Sequence, residues 1–161
     1  MSGVRWILAD SSVVRNRWKQ FFDLASVVQQ LRTKEKPIVL VVPAIAHTEL
    51  VFALRREHGS TFNPQMVVDG LKRREVVVES LDQPAAERVA TILASWFPTH
   101  DDWLSAKTNG NLDWHIAAHA MSIDGATLLV HDKGVEFSKV ERKATLDAVL
   151  AELQQELATL P

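Results

Sequence analysis

Four acids far apart in the chain, Asp10, Glu49, Asp113 and Asp132, can do chemistry together if the fold gathers them. Asp10 closes the apolar run 4–9 and is followed by Ser11-Ser12, a strand end running into a helix start. Glu49 lies about two turns into a segment that begins after Pro43, where proline suits the first turn of a helix. Asp113 opens an alanine-rich segment, 113–121, free of Gly and Pro, where the helix dipole favours an acid in the first turn. Asp132 follows the short apolar run 126–130, within Asp-Lys-Gly. Parallel strands carry their ligand sites at their carboxyl ends, so a parallel sheet would bring these residues to one edge. Carboxylates without Cys or His make a hard oxygen site that suits Mg²⁺ or Mn²⁺ better than Zn²⁺. A metal-activated water at such a site can hydrolyse a phosphodiester.

The elements that must position these acids follow from hydrophobic periodicity. Strands are expected at 4–9, 38–42, 75–81 and 126–130, each a short apolar run bounded by turn residues, with a further short strand beginning at Val140. Helices are expected at 13–32, 44–57, 65–74, from Pro84 to Trp96, at 113–121, and at the end through Leu146, Val149, Leu153 and Leu157. Residues 97–111 read as an exposed loop or a short irregular helix. Alternating strands and helices predict an α/β layer, a central and mostly parallel sheet flanked by helices. A length of 161 residues suits one domain, residues 1–161.

Composition removes several function classes. Without a single cysteine there is no disulfide framework, no thiolate zinc site and no cysteine nucleophile. The six glycines form neither Gly-x-Gly-x-x-Gly nor a P-loop, which disfavours nucleotide-cofactor chemistry. No apolar run approaches the length of a membrane span and no signal-peptide pattern opens the chain, so a cytoplasmic protein is expected. The net charge of −2 decides nothing, because an acid cluster can mask local basic patches. Arg15, Arg17 and Lys19 near Asp10, Arg55 and Arg56 beyond Glu49, and Lys133 beside Asp132 are candidate phosphate contacts, although solvated helix faces carry such residues too.

In this order and spacing the motifs Ile7-Leu8-Ala9-Asp10-Ser11-Ser12, Thr48-Glu49-Leu50, Asp113-Trp114-His115-Ile116-Ala117-Ala118-His119-Ala120 and Leu128-Leu129-Val130-His131-Asp132 resemble PIN-domain ribonucleases. The nearest likeness is to the VapC-type toxins of bacterial toxin-antitoxin modules. The resemblance covers nearly the whole chain. It implies a PIN-like fold and a Mg²⁺ or Mn²⁺ site on Asp10, Glu49, Asp113 and Asp132, with single-stranded or loop RNA as substrate; Ser11, Arg15, Arg17 and Lys133 are then the candidate substrate contacts. It further implies a homodimer and a small VapB-type antitoxin partner. That family usually has Thr or Ser two residues before its last acid, where this chain has Val130, so Glu136 stands as the alternative fourth acid.

Each acid also has a simpler reading taken alone: a helix cap for Asp10 and Asp113, a solvated helix acid for Glu49, ordinary turn chemistry for Asp132. A non-catalytic RNA- or protein-binding module on the same fold is the alternative function, and a metal-dependent phosphatase acting on small substrates is a third. His115 and His119 have zinc-helix spacing, but Ile116 stands where His-Glu-x-x-His needs Glu. At about 100° per residue they point away from the stripe of Asp113, Ile116, Ala117 and Ala120, and are expected at the surface or against a partner. Of the five tryptophans, Trp114 is expected in the core, with contact to a substrate as its alternative.

Overall fold

The computed structural model describes residues 3–107, 111–131 and 137–161. Strand β1 (Arg5–Ala9) runs at the centre of a five-stranded sheet with β2 (Ile38–Pro43), β3 (Val77–Glu79), β4 (Thr127–Leu129) and β5 (Lys143–Ala144). The order is β3-β2-β1-β4-β5, and all four pairings are parallel. The fold is therefore α/β, consistent with the PIN-like architecture anticipated from the sequence. Ile7, Leu8 and Ala9 are fully buried, as expected of a central parallel strand with apolar neighbours on both faces.

Register fixes which residues reach the carboxyl edge. Leu8 pairs with Val41 and Ala9 with Leu129, so Asp10 emerges level with the ends of β2 and β4. The chain crosses from β1 to β2 and β3 on one side, then returns to β4 on the other. This makes the crevice beyond β1 a topological switch point, where open α/β sheets bind ligands. Right-handed crossovers in these two opposite directions set the intervening helices on opposite faces of the sheet.

Helices α1 (Ser11–Asn16) and α2 (Trp18–Thr33) follow β1, and α3 (Ala44–His58) and α4 (Gln65–Arg73) follow β2. Then come α5 (Gln83–Trp96), α6 (His100–Lys107), α7 (Asn111–Ser122) and, at the end of the chain, α8 (Leu146–Thr159). Phe21, Leu24, Ala25, Val28 and Leu31 put the apolar face of α2 into the core, where α8 covers it with Leu146, Val149 and Leu153. Among the described residues no helix is long and apolar enough to cross a membrane.

Three boundaries differ from the periodicity. The helix expected over 13–32 starts at Ser11 and breaks at Arg17, whose φ of −129° and ψ of 37° are not helical. The break lets α1 begin directly at the end of β1 while α2 turns to lie along the sheet. The strand expected over 75–81 is only three residues long. Val76 is drawn into the core while its amide bonds the Leu71 carbonyl, and Glu75 takes a positive φ of 55°. The last strand begins at Lys143 rather than Val140, whose side chain is buried.

Of the two readings of 97–111, the short helix holds, as α6. Asp102 accepts from the Thr99 amide at 3.2 Å and hydroxyl at 2.7 Å, while the Thr99 hydroxyl accepts from the Asp102 amide at 3.1 Å. These reciprocal bonds form a capping box that satisfies amides otherwise unpaired at the helix start.

Leu129, fully buried at the end of β4, ties the core to the edge that carries Asp10. Leu129→Ala is expected to cost about 2–5 kcal/mol, the lost transfer energy plus the cavity left behind. Urea denaturation at unchanged slope measures it, and a loss below about 1 kcal/mol would mean that the strand end collapses freely around the gap.

Candidate metal centre

Asp10, Glu49 and Asp113 meet at the carboxyl edge of the sheet, each offering one oxygen within 4.8 Å of the others. Asp10 is held by its backbone: its amide donates to the Leu129 carbonyl at 3.3 Å, extending the β1–β4 ladder, and its own carbonyl accepts from Val13 at 3.2 Å. It occupies the N-cap position of α1, yet its side chain makes no capping hydrogen bond. The simple capping reading of Asp10 therefore does not account for its carboxylate. Glu49 stands in the second turn of α3, next to Leu50, which enters the core. Asp113 sits in the first turn of α7.

Two adjacent serines brace the pair from α1. The Ser11 hydroxyl donates to Glu49 Oε2 at 2.8 Å, and the Ser12 hydroxyl donates to Asp10 Oδ2 at 2.5 Å. The sequence singled out Ser11 but not Ser12, although the doubled serine after Asp10 was its signal. Asp10 is 4% exposed, and its Oδ1 is buried with no hydrogen-bond partner among the described residues. Burial raises the Asp10 carboxyl above its ordinary value, against the Ser12 hydroxyl and the nearby amides of Ser11 and Ser12, which favour the charge. Burial raises Glu49 as well; the Ser11 hydrogen bond opposes this, and the charge of Asp10 adds to it.

A buried acceptor without a donor is costly, and two further carboxylates nearby make the site cation-seeking. All three residues offer hard oxygen, which fits Mg²⁺ or Mn²⁺. The three carboxylates lie close enough together that one such ion would be held between them. The expected fourth acid, Asp132, its alternative Glu136 and the substrate candidate Lys133 lie outside the described residues.

Arg15 lines a cavity of about 330 Å³ together with Ser11, Ser12 and Glu49, and forms an ion pair with Glu57. Arg17, at the helix break, is paired with Asp147 of α8 at 2.6 Å. Trp114 is core: its rings pack on Phe97 at 4.8 Å and Trp96 at 6.0 Å, and its Nε1 donates to the Ala106 carbonyl at 3.3 Å.

His119 corrects the sequence reading. It is 3% exposed rather than at the surface, because α5 packs on the side of α7 turned away from the sheet. Its Nε2 lies 3.4 Å from Glu79 Oε2. Burial favours the neutral imidazole and Arg88 reinforces it, while the charge of Glu79 opposes both. His115 is half-buried and stacks edge-on to Trp103.

Comparison with protein-family models finds no match, and comparison with curated proteins finds none either.

The raised carboxyls give the centre a pH signature. Over a range above the ordinary aspartate value of 3.8 the folded chain keeps protons that the unfolded chain has released, so stability falls as pH rises through that range. Asp10→Asn, which removes the buried charge, is expected to raise the melting temperature near pH 8, by an amount that vanishes towards pH 4. Added Mn²⁺ is expected to raise the melting temperature of the wild type near pH 8 and to leave the variant unmoved. Calorimetric scans at both pH values check this; a variant no more stable than the wild type at pH 8 would mean that the carboxylate is adequately solvated.

Proposed function

We propose that this chain is a Mg²⁺- or Mn²⁺-dependent endoribonuclease that hydrolyses RNA phosphodiester bonds. The observation that carries the reading is the meeting of three carboxylates at the switch point of a parallel sheet, one of them with a buried oxygen lacking a hydrogen-bond donor. In this reading Asp10, Glu49 and Asp113 hold the ion, with Asp132 as the fourth acid. A bound divalent ion would supply an activated water and neutralise charge developing on the phosphate. The chain's own residues do the rest: Ser11 and Ser12 fix the Glu49 and Asp10 carboxylates in place, and Arg15 offers a guanidinium to a phosphate beside Glu49.

The resemblance to VapC-type toxins extends the proposal to a cytoplasmic toxin of a type II toxin-antitoxin system, homodimeric and held by a small VapB-type antitoxin. An open apolar groove of about 440 Å³ among α2, α3 and α4, lined by Trp18, Phe22, Leu54 and Met66, supports a protein partner. Trp18 is 52% and Met66 68% exposed there. The same groove is what a non-catalytic binding module would present, and catalysis decides between the two.

Purified wild-type protein is expected to cleave mixed RNA in Mg²⁺ or Mn²⁺ and to stop in EDTA. Asp10→Asn and Asp113→Asn are expected to lower the rate by at least about 10²-fold, the scale of losing one electrostatic stabiliser of a transition state. Gel analysis of the products, with circular dichroism to confirm folding, makes the test. Cleavage that persists in EDTA, or in folded Asp10→Asn, would remove the metal site from the reaction.

A further inference from the structure

Beyond the acid centre, the outer face of α3 carries an exposed aromatic ring that the core does not use. Phe52 is 62% exposed, although an isolated apolar ring of that size gains by burial. On a helix, residues 3, 4 and 7 positions beyond Glu49 share its face, which makes them Phe52, Ala53 and Arg56. Two concavities of about 330 Å³ each lie along this face. The first reaches Ser11, Ser12 and Glu49, the second Arg56 and Glu57, and they share Arg15, Phe52 and Ala53. They form one trough leading away from the carboxylates.

The trough's chemistry is specific. The Arg56 guanidinium lies 5.8 Å from the Phe52 ring centroid, within cation-π range. Arg15, from α1, lines the same trough and is ion-paired with Glu57. Ala53, small and shared by both concavities, leaves the ring's surroundings open. An exposed ring beside the Arg56 guanidinium, in a trough that Arg15 also lines, offers what an unstacked nucleobase and its flanking phosphates need: a π-face for the base and cations for the backbone. A duplex cannot use it, because its bases are stacked on one another.

We propose that the trough along α3 is a subsite for single-stranded nucleic acid, in which a base stacks on Phe52 while Arg15 and Arg56 hold the adjoining phosphates. The subsite rests on the ribonuclease reading and deepens it: it names the ring on which a base is held and sets the register in which a strand lies across the carboxylates.

The test uses the full chain in an Asp10→Asn background, so that bound strands stay intact, with a short fluorescent RNA oligonucleotide, its DNA counterpart and a hairpin duplex as probes. Fluorescence anisotropy is expected to show that Phe52→Ala weakens single-strand binding about 5- to 150-fold, that Phe52→Trp restores it, and that duplex affinity does not change. Arg56→Gln is expected to lower the slope of log affinity against log salt by about 0.7, one phosphate contact on a single strand. Equal losses for RNA and DNA would mean that the ring reads the base and not the ribose, as the proposal states. Unchanged single-strand affinity in Phe52→Ala, or equal losses for strand and duplex, would overturn it and leave the ring to a protein partner. The two readings fail separately. If strands bind through Phe52 but the wild type never cuts them, the nuclease reading falls and the subsite stands. If the wild type cuts them with the same KM with and without the ring, the subsite falls and the nuclease stands.

Discussion

The last rung of the β1–β4 ladder, the Asp10 amide on the Leu129 carbonyl, governs everything at the carboxyl edge. It pins the residue that ends β1 at the point where the chain's two crossovers diverge, with β2 on one side and β4 on the other. Because Ile7, Leu8 and Ala9 are buried on both faces of β1, a slip in its register would draw charged Arg5 or Asp10 into their place. The carboxylate is thus carried into a nearly solvent-free position by hydrophobic packing, not by any attraction of its own. An orphaned buried acceptor costs about 1–3 kcal/mol, a sizeable share of the 5–15 kcal/mol by which a domain is stable. That unpaired oxygen, set beside two further carboxylates, favours a bound cation.

The neighbouring elements are arranged to keep those carboxylates in place. Breaking the first long helix at Arg17 frees α1 to sit over the end of β1, where Ser11 and Ser12 can reach two different carboxylates from adjacent positions. A continuous helix lying along the sheet from residue 13 could not present both. On α3, Leu50 anchors the helix in the core and leaves Glu49 turned toward Asp10. Asp113 arrives from the opposite face, in the first turn of a helix whose other side is sealed by α5. Three layers therefore contribute one carboxylate each, and none is held by local sequence alone.

Continuous apolar runs made β1, β2 and β4 legible, because strands buried on both faces leave no alternation to misread. Asp10, Glu49 and Asp113 were legible as candidates from their places at strand ends and helix starts, and topology did the gathering. The break at Arg17 carries neither Gly nor Pro, so no local signal marks it. His119 escapes any reading that gives α7 a single buried face. Ala117, Ala118 and Ala120 were the available clue, since a helix so rich in small residues can be packed closely on more than one side. The Thr99–Asp102 box was legible as well, in Thr-His-Asp-Asp, and would have favoured the helix over the loop for α6.

The same helix that supplies Glu49 measures out the surface beyond it. With a rise of about 1.5 Å per residue, Arg56 lies about 10 Å along α3 from Glu49 and Phe52 about 4.5 Å, all on one face. An acid that favours a cation, a ring that favours a π-face and a guanidinium that favours an anion follow one another along a rigid rod. Their order cannot be changed by side-chain motion, only by sequence. A loop carrying the same three residues would have to order itself on every encounter with a ligand, at about 1–2 kcal/mol per residue fixed. Placing them on a helix anchored by Ala46 and Leu50 removes that cost before binding begins. The packing that forces Asp10 into an unfavourable site is continuous with the packing that holds this face in register.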